Sequence, residues 1–124
     1  MKRDMDLVRK ILLHVEASGE EDLQNRMLEL EGYSQPLIAR HVEIMDEAGL
    51  VDAHVLRADG VPAYAACVFR LKWEGHDFLE ATRNETIWAK TKQFVVEKGG
   101  GASIEIIKRI ALKVAVDHFG LPGG

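Results

Sequence analysis

SQPLIARHVEIMDEAGLV, residues 34 to 51, decides how the rest of the chain is read. Ile38, His41, Val42, Met45 and Ala48 recur at i, i+3, i+4 and i+7 spacing, which puts them on one apolar face of a helix. Ser34 stands where an N-cap hydroxyl accepts a bond from a first-turn amide that lacks an intrahelical partner. Pro36 falls inside that first turn, where its missing N–H costs nothing. Gly49 supplies the left-handed residue that follows a last turn, and Leu50 and Val51 begin an extended run. A helix therefore feeds directly into a strand.

Downstream, Val51, Ala53 and Val55 alternate with Asp52, His54 and Leu56. Asp59-Gly60 signals a turn, and Cys67, Phe69, Leu71 and Trp73 alternate with Val68, Arg70 and Lys72. These predict a hairpin with its tip near Arg57 to Ala63. Upstream, Asp4 is placed to cap a helix running to about Ser18. Its inward stripe is Met5, Val8, Ile11, Leu12 and Val15, with Arg9, Lys10 and Glu16 toward water. Residues 20–27 are polar and read either as a loop or as one or two loose helical turns. Leu28, Leu30 and Tyr33 alternate with polar residues and glycine and predict a short strand pairing with the hairpin edge.

Past the hairpin, WEGHDFLEATR predicts a helix. Asn84 caps another from Glu85 to Lys98, with Ile87, Trp88, Thr91, Phe94 and Val95 inward. Gly99 to Gly101 form a joint. Ser103 caps the last helix, which Gly120 and Pro122 terminate. Ile104, Ile107, Ala111, Val114 and His118 form its main stripe, flanked by Ile106, Ile110 and Ala115. This apolar sector is wide enough to serve a second copy as well, and Leu112 and Val116 on its charged side mark a second interface. The expected fold is mainly α with a small antiparallel β-sheet: a winged helix-turn-helix domain over 1–83 with a C-terminal helical extension over 84–124, forming one structural unit.

Composition narrows the function. At 124 residues the chain is one domain with enough length for a core without disulfide or metal, and its single cysteine, Cys67, excludes an internal disulfide. No apolar run approaches the ~20 residues of a membrane span. Asp4, Asp6, Arg9 and Lys10 interrupt the only stretch that resembles a leader, so a cytoplasmic location is expected. The five histidines lack metal-ligand spacing, and His41 and His118 read as hydrogen-bonded core residues. Cys67 reads as a small buried hydrophobe, and the glycine run lacks the G-K-[ST] of a phosphate loop. No catalytic, metal or cofactor site is expected, and an enzyme is not.

The remaining chemistry suits a nucleic-acid interface. On the outward side of the central helix, Gln35 and Arg40 carry groups that pair with adenine and guanine edges, and both lie in the half that enters a major groove. Ala39, Glu43, Asp46 and Glu47 share that side. Lys2, Arg3, His54 and Arg57 complete the set of candidate DNA contacts. Against it stand a net charge of −4 and a hairpin tip with few cations, because phosphate neutralisation supplies most DNA affinity. An acidic helix face is equally suited to a basic protein partner.

The opening MKRDMDLVRKILL, LEGY at 30–33, H-x-x-x-M-x-E-A-G-L from His41 to Leu50, LKWEGHDFLEATRNETIW at 71–88 and VEKGG at 96–100 resemble a prophage- and phage-associated bacterial family of unknown function. FRLKWEGHDFL at 69–79 is similar to the wing and following helix of MarR- and PadR-like regulators. These resemblances imply a small winged-helix protein carried by a mobile element. The functions expected are a transcriptional regulator that binds double-stranded DNA, dimeric through its C-terminal helices, or alternatively a non-enzymatic module binding a host or phage protein.

Overall fold

The computed structural model describes residues 2–19, 27–98 and 101–120. The expectations for the segment 20–26, for Gly99-Gly100 and for Pro122 lie outside them. The described residues form a mixed α+β structure with five helices and one two-stranded antiparallel sheet. In chain order these are α1 (Met5–Ala17), α2 (Gln35–Glu47), β1 (Val51–Ala58), β2 (Val61–Leu71), α3 (Trp73–Thr82), α4 (Glu85–Glu97) and α5 (Ile104–Phe119). Two compact units divide the chain, Met1–His76 and Asp77–Gly124.

In the first unit α1 and α2 both pack on the hairpin. The caps act as the sequence suggests. The Asp4 carboxylate accepts from the amides of Asp6 and Leu7, and the Ser34 hydroxyl accepts from that of Leu37. Gly49 has φ +76, and the chain leaves α2 through it into β1. Leu7, Val8, Ile11 and Leu12 of α1 are fully buried, as are Ile38, Val42 and Met45 of α2 and Leu50 and Val51 beyond it. Each such side chain contributes about 2 kcal/mol by leaving water.

Several facings differ from expectation. Arg9 is buried rather than solvated, Leu7 takes the inward place expected of Met5, and Ala39 is fully buried. Simple alternation fails along β2. Asp52 pairs with Arg70, but Ala53 pairs with Val68, so Phe69 is an extra residue in the ladder. Such a bulge switches the face of everything before it. Leu71 and Val68 both point inward, while Phe69 is exposed and Cys67 only half-buried. Trp73 opens α3 instead of ending the strand, and 77% of its surface is exposed. Of the strand expected at 28–33 a single rung remains, the Leu28 amide donating to Ala66 of β2 at 2.8 Å. From there the Tyr33 amide turns back to the Leu30 carbonyl at 3.2 Å, closing a turn that no ladder can extend.

In the second unit Asn84 and Ser103 cap α4 and α5 by accepting from the amides of Ile87 and Ile106. The Phe78 and Trp88 rings meet edge-on at 6.2 Å. Thr82 and Thr91 are fully buried, and their hydroxyls donate to the carbonyls of Phe78 and Ile87, which satisfies both. On α5 only Ile107 and Ala111 are buried. Ile104 and Val114 are half-covered, and His118 is exposed, stacked edge-on against Phe119 rather than held in a core. No helix among the described residues is long and apolar enough to cross a membrane.

Candidate nucleic-acid interface

Of the six candidate contact residues, Gln35 and Arg40 lie on α2, and Lys2, Arg3 and Arg57 are tied to it through Asp4 and Glu43. Lys2 and Arg3 precede α1 and are exposed. Their position is set by Asp4, whose backbone N–H donates to Nε2 of His41 at 2.9 Å. His41 is fully buried in α2, and its Nδ1 lies 2.9 Å from the Leu37 carbonyl one turn back. A carbonyl only accepts, so Nδ1 carries the proton and Nε2 is left as the acceptor Asp4 needs. One neutral histidine thus holds the basic arm against the helix that bears Gln35 and Arg40. The expectation of a hydrogen-bonded core histidine holds, but its partner, 37 residues away, left no trace in periodicity.

The other candidates are engaged differently. Gln35 is half-buried at the start of α2, and its amide donates to Glu29 Oε1 at 3.2 Å. Arg40 is half-buried and makes no hydrogen bond or ion pair among the described residues. His54 is exposed on β1, opposite Cys67. Arg57 lies near the end of β1, and its guanidinium is clamped to Glu43 of α2, with Nε donating to Oε2 at 2.9 Å and Nη2 closing on the same oxygen. Arg70 of β2 faces Asp52 of β1 at 3.5 Å.

These pairs fasten the hairpin to itself and to the helix, and they neutralise the arginines nearest it. The Arg57–Glu43 pair is partly exposed on both sides, at 54% and 28%, so its contribution to stability is below about 1 kcal/mol. Its larger effect is electrostatic: Glu43 ceases to repel a phosphate, and Arg57 ceases to attract one. Asp46 and Glu47 carry no such cation. On the neighbouring surface, Lys10 Nζ sits 3.2 Å from the Tyr33 hydroxyl and over its ring at 5.2 Å. The hydrogen bond to Tyr33 raises the Lys10 pKa above its ordinary value.

No group of three histidine, cysteine, aspartate or glutamate side chains able to hold a metal occurs among the described residues. Residues 2–101 match the family described as hypothetical protein (DUF2513). An "Uncharacterized protein" of Haemophilus influenzae is 29% identical over 111 residues, covering 90% of this chain and 92% of that protein. No solved structure matches.

Proposed function

We propose that this chain, which belongs to the DUF2513 family of hypothetical proteins, is a winged-helix DNA-binding regulator, with α2 as the recognition helix and the β1–β2 hairpin as the wing. The observation that carries the reading is the His41–Asp4 bond. It gathers Lys2 and Arg3 at the helix that presents Arg40, which concentrates cations on a chain whose overall charge is negative. The link to a mobile element rests on the opening MKRDMDLVRKILL. Two copies joined through the C-terminal helices would read paired half-sites.

The test is a fluorescence-anisotropy titration of a genomic fragment pool at two salt concentrations. Two phosphate contacts, from Lys2 and Arg3, imply a logarithmic salt slope near −1.8, or roughly 12-fold weaker binding between 50 and 200 mM salt. Arg40→Ala is expected to weaken binding roughly tenfold or more, as for a base-edge contact. Arg57→Ala, removing a cation already paired with Glu43, is expected to change it less than about threefold. Absence of binding at low salt would sink the reading.

One observation favours a second reading. Both arginines of the hairpin, Arg57 and Arg70, are paired within the chain, and Asp46 and Glu47 are not. An acidic end of α2 beside a charge-neutral hairpin suits a basic surface on a host or phage protein. On this reading Asp46→Lys with Glu47→Lys abolishes partner binding, whereas the same pair of changes strengthens DNA binding on the first.

A further inference from the structure

The second unit holds a groove of about 280 Å³ between α4 and α5, lined by Phe94, Arg109, Ile110, Lys113, Val114 and Asp117. Its floor is apolar. Phe94 remains 43% exposed, and Ile106, one turn before Ile110 on the same side of α5, is 50% exposed. Ile106, Ile110, Lys113 and Asp117 follow i, i+4, i+7 and i+11 spacing, a continuous stripe along the helix. Exposed apolar surface of this kind, rimmed by charge, marks a place where another surface lands.

The charges say which surface. Away from the groove, the charges of α5 find partners within the unit: Lys108 bridges Asp77 at 3.9 Å and Glu105 at 3.7 Å. On the groove rim, Arg109, Lys113 and Asp117 have no hydrogen bond or ion pair among the described residues. They stand four residues apart in one row, cation, cation, anion. Such a row is complementary to itself when two copies run antiparallel about Lys113.

We infer that this groove is the docking surface for a second copy of the chain, with α5 packed antiparallel on α5 and Arg109 of each copy paired to Asp117 of the other. Each contact then occurs twice, as a two-fold interface requires. The two lysines meet at the axis, each with the Asp117 carboxylate of its own helix one turn away. Ile106, Ile110 and Phe94 lose their exposure under the partner helix. This interface is independent of DNA and of the proposed reading of α2.

The test is sedimentation equilibrium of the full chain, without nucleic acid, over about a hundredfold range of concentration. The wild-type chain is expected to be a dimer. Arg109→Asp alone and Asp117→Arg alone each make both cross-pairs like-charged, and each is expected to weaken dimerisation by roughly 100-fold. Mixing the two single variants in equal amounts makes both cross-pairs opposite, so the mixture is expected to sediment as a dimer, and so is the double variant. A wild-type chain that is monomeric throughout overturns the inference. So do single variants that dimerise like wild type, and so does a mixture that stays monomeric.

Discussion

Gly75→Ala is expected to destabilise the fold by at least about 3 kcal/mol, although alanine is the better helix former by roughly 1 kcal/mol. The two effects have opposite sign, and the geometry decides between them. Gly75 lies in the first turn of α3, buried, with its Cα face pressed on the backbone of Leu50. A Cβ there falls inside the contact radius of the Leu50 carbonyl oxygen, 3.1 Å from its carbon and 3.4 Å from Leu12 Cδ2. That carbonyl is not free to move. It accepts the Lys72 amide at 2.9 Å, and the Leu50 amide donates in turn to Met45 at 2.9 Å. Shifting it disturbs the end of α2 and the start of the hairpin together. For a chain of this length the loss lowers the melting temperature by roughly 10 °C or more, readable by far-UV circular dichroism. A variant as stable as wild type would show that the close approach does not hold in solution.

The same junction shows what sequence reasoning reaches. Caps are legible because their chemistry is local: Asp4, Ser34, Asn84 and Ser103 each satisfy an amide two or three residues on, as their residue types suggest. The helix–glycine–strand order from Ser34 to Val51 is legible for the same reason. The bulge at Phe69 is not, because an extra residue depends on which residues the opposite strand offers. Read as unbroken alternation, Cys67, Phe69, Leu71 and Trp73 share the inward face, whereas of these only Leu71 is buried and Val68 joins it. The lost strand at 28–33 has a related cause. Alternation of Leu28 and Leu30 is satisfied by one rung to Ala66, and the Leu30–Tyr33 turn then ends it.

The charge pairing around the candidate residues is not legible in the sequence. Arg57 reads as a cation available to phosphate, and its strand-to-helix partner Glu43, like the cross-strand partner Asp52 of Arg70, becomes visible only in the folded chain. Periodicity likewise fixes which residues of α5 share a face but not how much of that face a single copy covers. Only Ile107 and Ala111 are buried, while Ile106, Leu112 and Phe119 remain at least half exposed. A helix apolar on more than one side leaves part of that surface uncovered in a single copy.

His41→Leu is expected to cost about 2–4 kcal/mol, and His41→Gln substantially less. Leucine fills the buried volume but offers no acceptor, so the Asp4 amide is stranded in a part-buried position. Glutamine is long enough to place a carbonyl oxygen near the site of Nε2 and keep that bond. The residue affected is pivotal for α1, because Asp4 also caps it through its carboxylate and accepts the Val8 amide at 3.1 Å through its carbonyl. Loss of one of these four bonds loosens the other three, and the first turn of α1 frays. Urea denaturation gives the energies, and hydrogen exchange at the Asp4 amide reports the bond itself. Equal losses in the two variants would mean that packing, not the acceptor, makes the histidine necessary. If the acceptor matters, the leucine variant also frees Lys2 and Arg3 from α2, and any DNA affinity falls toward that of a chain without the arm even where the fold survives. The glutamine variant retains both.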